Sequence, residues 1–307
     1  MSEYAIETRK LTKIFDNRIA VDALDIQTSA GSVLGFVGVN GAGKTTTIRM
    51  LMGHLHPTSG QVKTLGNDPR RHNEELKGRV AYVSENMNLP GWITPEGAVK
   101  MNTNLYSQWD SSLAESLLDE FELRGSGSYS RLSRGQKRKI CILLAICQNA
   151  ELLIMDEPAL GLDVAARHDF LKRILEVACG DKRTVFISSH LLSDLERIVD
   201  RIVLIDKGRL LLQGNLEDLK AGVRQLHFAA EVPKEELEQH FQVIRYNHPA
   251  AGETLAVVLD FNEQRLHQLC QQNSSAENPH VFGLNLEDIF VELVKNTNGK
   301  NEERTEQ

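Results

Sequence analysis

The chain has 307 residues, with 35 basic and 42 acidic side chains for a formal net charge of −7, and it is 41% hydrophobic and 25% charged. That balance allows a sizeable core in one large domain or two modest ones. It argues against sequence-blind nucleic-acid binding, which relies on basic surface to release phosphate counterions. No run of about 18 apolar residues occurs, so no bilayer-spanning helix is expected, and the opening MSEYAIETRKLTKIF lacks the apolar core of a signal peptide. Work at a membrane would need another chain to supply the spanning part. Cys141, Cys147, Cys179 and Cys270 form no CxxC pair and no zinc-type cluster, so they are expected as buried thiols in a reducing compartment.

Partial alternation in 4–11 and 20–28, with Leu24, Ile26 and Thr28 on one side, predicts two paired antiparallel strands. Val33-Leu34-Gly35-Phe36-Val37 is a short apolar strand that feeds a glycine-rich turn, and Ile48, Leu51 and Met52 give the stretch from Thr45 a helical spacing. Between strand and helix, Gly38-Val-Asn-Gly-Ala-Gly43-Lys44-Thr45 fits the phosphate-loop pattern G-x-x-x-x-G-K-[ST]. Glycines there let the backbone turn tightly, so that several N–H groups and the positive end of the helix dipole face phosphate oxygens. Lys44 adds a charge for the terminal phosphates and Thr45 a hydroxyl for Mg²⁺. Gly38, Asn40, Gly41, Ala42, Gly43, Lys44, Thr45 and Thr46 are therefore the candidate nucleotide-binding segment.

Residues 94–124 are expected to be mostly helical, with Leu113, Leu117, Leu118 and Phe121 on one face. A glycine/serine break at Gly125–Tyr129 and a helix over 134–148 follow. Leu152-Leu153-Ile154-Met155 is an apolar strand ending in Asp156 and Glu157. Adjacent strand residues point to opposite faces, so the two carboxylates should have different tasks: Asp156 holding Mg²⁺ through water, Glu157 polarising the attacking water. A helix around 164–178 leads to the strand Thr184–Ser188, which ends in Ser188-Ser189-His190. A histidine at that strand end can hydrogen-bond a γ-phosphate oxygen, although a lone histidine is more often structural. A strand pair at 201–205 and 209–213, turned by Lys207-Gly208, completes an α/β domain with a mostly parallel sheet.

After Gly222 the order is strand, helix, two strands, helix, strand and a final helix. This βαββαβ pattern predicts a small α+β, ferredoxin-like domain. The expected division is 1–222 for the nucleotide-binding domain, with a helical subdomain over about 86–150; 223–296 for the C-terminal domain; and 297–307 for a disordered tail. No internal repeat is present. The stretch 223–295 gathers no convergent charged or metal-ligating residues, so a packing or dimer-supporting module is expected there rather than a ligand sensor.

Leu132-Ser133-Arg134-Gly135-Gln136 resembles the LSGGQ signature of ATP-binding cassette (ABC) ATPases, and the resemblance extends over residues 4–220 in the family's order. GVNGAGKT looks like Walker A, LLIMDE like Walker B, PALGLD (158–163) like the D-loop and His190 like the switch histidine. The resemblance implies a P-loop NTPase fold with an antiparallel β subdomain and a helical subdomain. It implies ATP and Mg²⁺ as ligands, adenine stacking by Phe15, and catalytic roles for Lys44, Glu157 and His190. It also implies a head-to-tail pair of cassettes, a copy or a sibling, in which Ser133, Gly135 and Gln136 meet the partner's nucleotide and Asp163 reaches across the interface. The chain departs from the pattern at Arg134, which replaces a glycine, and at Glu85 in Tyr82-Val83-Ser84-Glu85, where the family has a Mg²⁺-ligating glutamine. By the same resemblance, Asn86–Pro95 docks an integral membrane permease, which places the chain at the cytoplasmic face of the membrane.

The ending GLNLEDIFVELVK resembles ATPases of ABC-2-type exporters that move antibiotics, peptides or lipids, the YtrB-like branch among them. Three alternatives are weighed. An importer ATPase often carries a β-rich extension, unlike the βαββαβ pattern. Non-transport ABC ATPases acting on DNA or ribosomes carry an inserted coiled coil or two cassettes. A P-loop GTPase would need an NKxD motif, which is absent here.

Overall fold

The computed structural model describes residues 4–305 apart from 163, 180–182 and 277. The chain divides into two compact units, Met1–Leu212 and Gln213–Gln307, a division that falls before the break expected after Gly222. The first unit contains, in chain order, β1 (Tyr4–Phe15), β2 (Arg18–Ser29), β3 (Val33–Val37), α1 (Lys44–Leu51), β4 (Ser59–Thr64), α2 (Asn73–Leu76), β5 (Val80–Val83), α3 (Pro95–Leu105) and α4 (Ser111–Glu120). It continues with α5 (Arg134–Cys147), β6 (Leu152–Asp156), α6 (Val164–Cys179), β7 (Thr184–Ser189), α7 (Leu192–Leu195), β8 (Arg201–Asp206) and β9 (Arg209–Asn215), whose end passes into the second unit.

β1 and β2 are antiparallel partners joined at Asp16-Asn17, both with positive φ (42° and 69°). That pair of values suits a two-residue hairpin, whose favoured turns match the strand twist, and Asn and Asp tolerate it better than other residues that carry a Cβ. β4 adds to the other side of β1, giving a three-stranded antiparallel sheet in the order β2-β1-β4. The second sheet has six strands in the order β5-β6-β7-β3-β8-β9, and along β5-β6-β7-β3-β8 each strand runs parallel to the next. β3, β6 and β7 are buried at every position, as expected of parallel strands covered on both faces. Phe36 and Phe186, on the adjacent β3 and β7, pack with ring centroids 5.1 Å apart in the core.

The stretch expected as mostly helical over 94–124 consists of two helices, α3 and α4. Thr94 caps α3, its hydroxyl accepting from the Gly97 N–H at 3.1 Å, and Asp110 caps α4, accepting from the Leu113 N–H at 2.8 Å. Each cap takes up an orphan donor at a helix start. α3, α4 and α5 pack on one another. Cys141 and Cys147 lie buried in α5, and burial pushes the Cys147 thiol up to about 12. The side chain of Cys179 lies outside the described residues.

The second unit contains α8 (Leu216–Gly222), β10 (Arg224–Phe228), α9 (Lys234–His240), β11 (Gln242–Asn247), β12 (Thr254–Leu259), α10 (Glu263–Gln272), β13 (His280–Gly283) and α11 (Leu286–Thr305). From β10 on, this is the βαββαβ order followed by a helix. The sheet reads β11-β12-β10-β13, with antiparallel neighbours throughout. Leu226 and Phe228 of β10 and Ala256 and Val258 of β12 share one buried cluster with Leu237 of α9 and Leu269 of α10. α11 continues through the polar stretch expected as a disordered tail, as far as Thr305. Extending a helix already nucleated costs far less than starting one. No helix among the described residues is long and apolar enough to cross a membrane.

Candidate nucleotide-binding and hydrolysis site

Parallel pairing brings three strand ends to one sheet edge. Val37 of β3 pairs with Ser189 of β7, and Asp156 of β6 pairs with Ser188. The phosphate loop, the acidic pair and His190 therefore leave the sheet side by side, at the carboxyl edge where parallel sheets bind ligands. A cavity of about 950 Å³ opens there, lined by Phe15, Asn40, Gly41, Gly43, Lys44, Thr45, Thr46, Glu85, Glu157 and His190 among others.

Local sterics explain why the loop carries glycine at two positions. A Cβ on Gly38 would lie 2.5 Å from the Ile205 carbonyl oxygen, and one on Gly43 would lie 2.5 Å from the Ala20 carbonyl oxygen. Gly43 also caps α1 in the left-handed region, with φ of 103°, which glycine adopts freely. Ala42 is buried, its N–H donating to the Val39 carbonyl at 3.0 Å, so it shapes the loop from inside rather than lining the cavity. Lys44 is 6% exposed. Its ammonium donates to the Gly38 carbonyl at 2.7 Å and lies 3.1 Å from Glu157 Oε1.

Thr45 Oγ1 donates to Asp156 Oδ2 at 2.8 Å, and Ser188 Oγ donates to Asp156 Oδ1 at 2.6 Å. The same Ser188 oxygen accepts from the Glu157 N–H at 3.1 Å. His190 Nδ1 lies 2.8 Å from Glu157 Oε2. Glu157 Oε1 is buried and near Lys44 but has no aligned hydrogen-bond partner, so one carboxylate lone pair remains to be engaged. Thr45, Asp156 and Glu85 are hard oxygen donors fit for Mg²⁺. Among the described residues no three His, Cys, Asp or Glu side chains form a ready-made metal cage. Mg²⁺ needs none where it takes one or two side chains together with substrate phosphates and water.

Glu157 has a φ of 51°. A non-glycine residue held there costs on the order of 1–3 kcal/mol and persists only where its surroundings over-determine it. Arg138 of α5, which sequence reasoning did not single out, is one such determinant. Arg138 is 7% exposed, and its guanidinium donates to the carbonyls of Asp156 (2.6 Å), Glu157 (2.8 Å), Pro158 (3.0 Å), Ser84 (2.6 Å) and Glu85 (3.5 Å). Burial lowers its pKa against the pull of Cys141, Asp156, Glu85 and Glu157, but a guanidinium stays charged at any pH a protein meets. Ser188 was likewise read as the end of a strand, not as the group that orients both carboxylate residues.

The signature residues do not line the cavity. Ser133 caps α5, and Ser133 and Gln136 form a reciprocal capping box: Ser133 Oγ accepts from the Gln136 N–H and Gln136 Oε1 accepts from the Ser133 N–H, each at 3.1 Å. Gly135 sits in the first turn of α5 against Leu162, whose Cδ2 would be 3.3 Å from an added Cβ. Phe15 is 44% exposed at the end of β1, with Lys13 Nζ 4.9 Å from its ring centroid. Asp163 lies outside the described residues.

The sequence model of the family described as "ABC transporter" matches residues 21–160. The bacitracin transport ATP-binding protein BcrA of Bacillus licheniformis is 32% identical over 300 residues, which is 94% of this chain and 97% of that protein. The Nod factor export ATP-binding protein I of Paraburkholderia xenovorans (strain LB400) is 30% identical over 307 residues, covering 96% of this chain and 98% of the relative. Among solved structures, an ATP-binding subunit of an ABC transporter superposes with a TM-score of 0.62 at 28% identity, over 71% of this chain and 92% of the other. A bacterial Atm1-family ABC exporter with ATP bound shares the fold at TM-score 0.61 and 22% identity, over 71% of this chain and 40% of that one. With a relative at that identity matched nearly end to end, and with the phosphate loop, the acidic strand end and His190 converging on one sheet edge, this chain belongs to the ABC transporter family as an ATP-binding subunit that hydrolyses ATP to drive transport.

Proposed function

We propose that this chain powers export through a separate membrane-spanning permease, working at the cytoplasmic face of the membrane as one of two paired cassettes. The observation that carries the catalytic reading is the chain of contacts Lys44–Glu157–His190 beside Thr45–Asp156–Ser188, all at the carboxyl edge of β3, β6 and β7. The export role is supported by relatives named for bacitracin transport and Nod factor export, which match the chain through its C-terminal unit as well. We assign the nucleotide-binding domain to 1–222, with its helical part over about 86–150, and the small α+β domain to 223–296.

In this reading the Gly38–Thr46 loop cradles the phosphates and Phe15 stacks on the adenine. The incoming phosphates compete with Glu157 for the Lys44 ammonium, which releases Glu157 towards the attacking water. Glu157 takes that proton, and His190 orients Glu157 and donates to the γ-phosphate. Thr45, Asp156 and Glu85 hold Mg²⁺, which when bound neutralises charge developing on the phosphates. Ser133, the Gly135 N–H and Gln136, at a helix N-terminus, meet the nucleotide of the other cassette, with Asp163 at the same interface.

Glu157→Gln tests this assignment. It should keep ATP affinity and lower turnover by about 100- to 10,000-fold, the range of a lost general base. Hydrolysis at the wild-type rate would sink the assignment of Glu157. Tagged protein from gently solubilised native membranes should co-purify with a multi-spanning protein in near-equal amount. Ribosomal or DNA-bound material with no membrane protein would overturn the transport reading and leave the ATPase chemistry standing.

A further inference from the structure

Two observations meet at the backbone of the acidic pair. Glu157 holds a φ of 51°, and Arg138, from a different part of the chain, donates to the carbonyl on each side of that strained residue and to its own. The same guanidinium reaches the Ser84 and Glu85 carbonyls. These bonds go to main-chain oxygens, while the Asp156 carboxylate is already engaged by Thr45 and Ser188. Arg138 is therefore no salt-bridge partner of the acidic pair. It fixes the path of the backbone from which both carboxylates project.

We infer that Arg138 is a positioning residue for ATP hydrolysis: it sets the aim of Glu157 and ties that aim to the Glu85 segment and to the helix begun by the signature residues. The inference rests on the reading of Glu157 as the hydrolytic carboxylate. Its physical basis is geometric. A planar guanidinium presents five N–H donors in a rigid fork, and here the fork spans two separate strand ends, β5 and β6. α5 starts at Arg134, capped by Ser133, so Arg138 lies about one helical turn from that start, roughly 6 Å along the axis. A displacement of the α5 N-terminus moves the fork, and with it the Asp156–Pro158 and Ser84–Glu85 backbones together. None of its partners belongs to the phosphate loop, so the effect falls on the chemical step and not on nucleotide capture.

The test measures Arg138→Met and Arg138→Lys beside Glu157→Gln, by steady-state ATPase kinetics and by titration with a fluorescent ATP analogue. Arg138→Met should lower kcat by about 10- to 100-fold, since a misplacement near 1 Å costs rates of that order, with analogue Kd and KM within about two-fold of wild type. Arg138→Lys keeps the charge but not the fork, so its kcat should fall between the two. It serves as the folded variant if Arg138→Met proves unstable. Wild-type kcat in Arg138→Lys and Arg138→Met, with Glu157→Gln inactive, overturns the positioning role alone. Analogue affinity falling in step with kcat also overturns it, because that pattern belongs to a general structural defect. Wild-type turnover in Glu157→Gln overturns the inference together with the reading beneath it.

Discussion

Lys44 sits between the Gly38 carbonyl at 2.7 Å and Glu157 Oε1 at 3.1 Å, so its charge is held in the loop rather than dispersed in solvent. Hydrogen bonds to charged groups contribute about 1.5–3 kcal/mol. Lys44→Ala should therefore weaken ATP binding by at least about 10-fold, and an unchanged Kd in a nucleotide titration would contradict the phosphate-loop reading. Glu85 faces the same cavity and offers an anionic oxygen where the family pattern has an amide. If it holds Mg²⁺, Glu85→Gln should raise the Mg²⁺ concentration needed for half-maximal ATPase activity several-fold, with ATP affinity in EDTA unchanged. Identical Mg²⁺ titrations would remove Glu85 from the metal site. At this scale the sequence was most legible where function sits in consecutive residues: Gly38–Thr45 and Asp156–Glu157 are strings that can be read directly. Arg138 was not legible, because its partners lie up to 54 positions away and only folding brings them together.

Helix α5 shows what a motif does besides meeting a ligand. Ser133 and Gln136, singled out for contact with a nucleotide, also close a capping box at its N-terminus. Ser133→Ala should cost about 1 kcal/mol of stability, the usual value of an N-cap, visible as a lower urea midpoint in nucleotide-free protein. No change in that midpoint would mean that the cap adds nothing and that Ser133 serves the ligand alone. The burial pattern also decides which elements announce themselves. β3, β6 and β7 are continuous apolar runs and were read as strands. β4, SGQVKT, buries only Val62 and Thr64 of its six residues, so its pairing with β1 comes from the sheet edge it completes rather than from its own composition. Within the 94–124 stretch read as mostly helical, the caps at Thr94 and Asp110 set two separate helix starts.

The two units have separate cores. Phe36, Ile154, Phe186 and Ile205 belong to one buried cluster, and Leu226, Phe228, Val258 and Leu269 belong to another. The βαββαβ order that the sequence suggested after Gly222 is what closes this second cluster, with Leu226 and Phe228 two residues apart on one face of β10. Separate cores with one nucleotide site predict separate responses in calorimetry. A non-hydrolysable ATP analogue at about 100 times its Kd adds roughly 2.7 kcal/mol to the unit that binds it, which for a unit of that size raises its transition by roughly 5–10 °C. The transition of Gln213–Gln307 should not move. Phe228 is fully buried, so Phe228→Ala should remove about 3–5 kcal/mol and lower the transition of the smaller unit by more than about 10 °C, while analogue binding is retained. A single transition that shifts with both the analogue and Phe228→Ala would mean that the two cores melt as one cooperative body, and the C-terminal unit would then contribute to the stability of the nucleotide site itself.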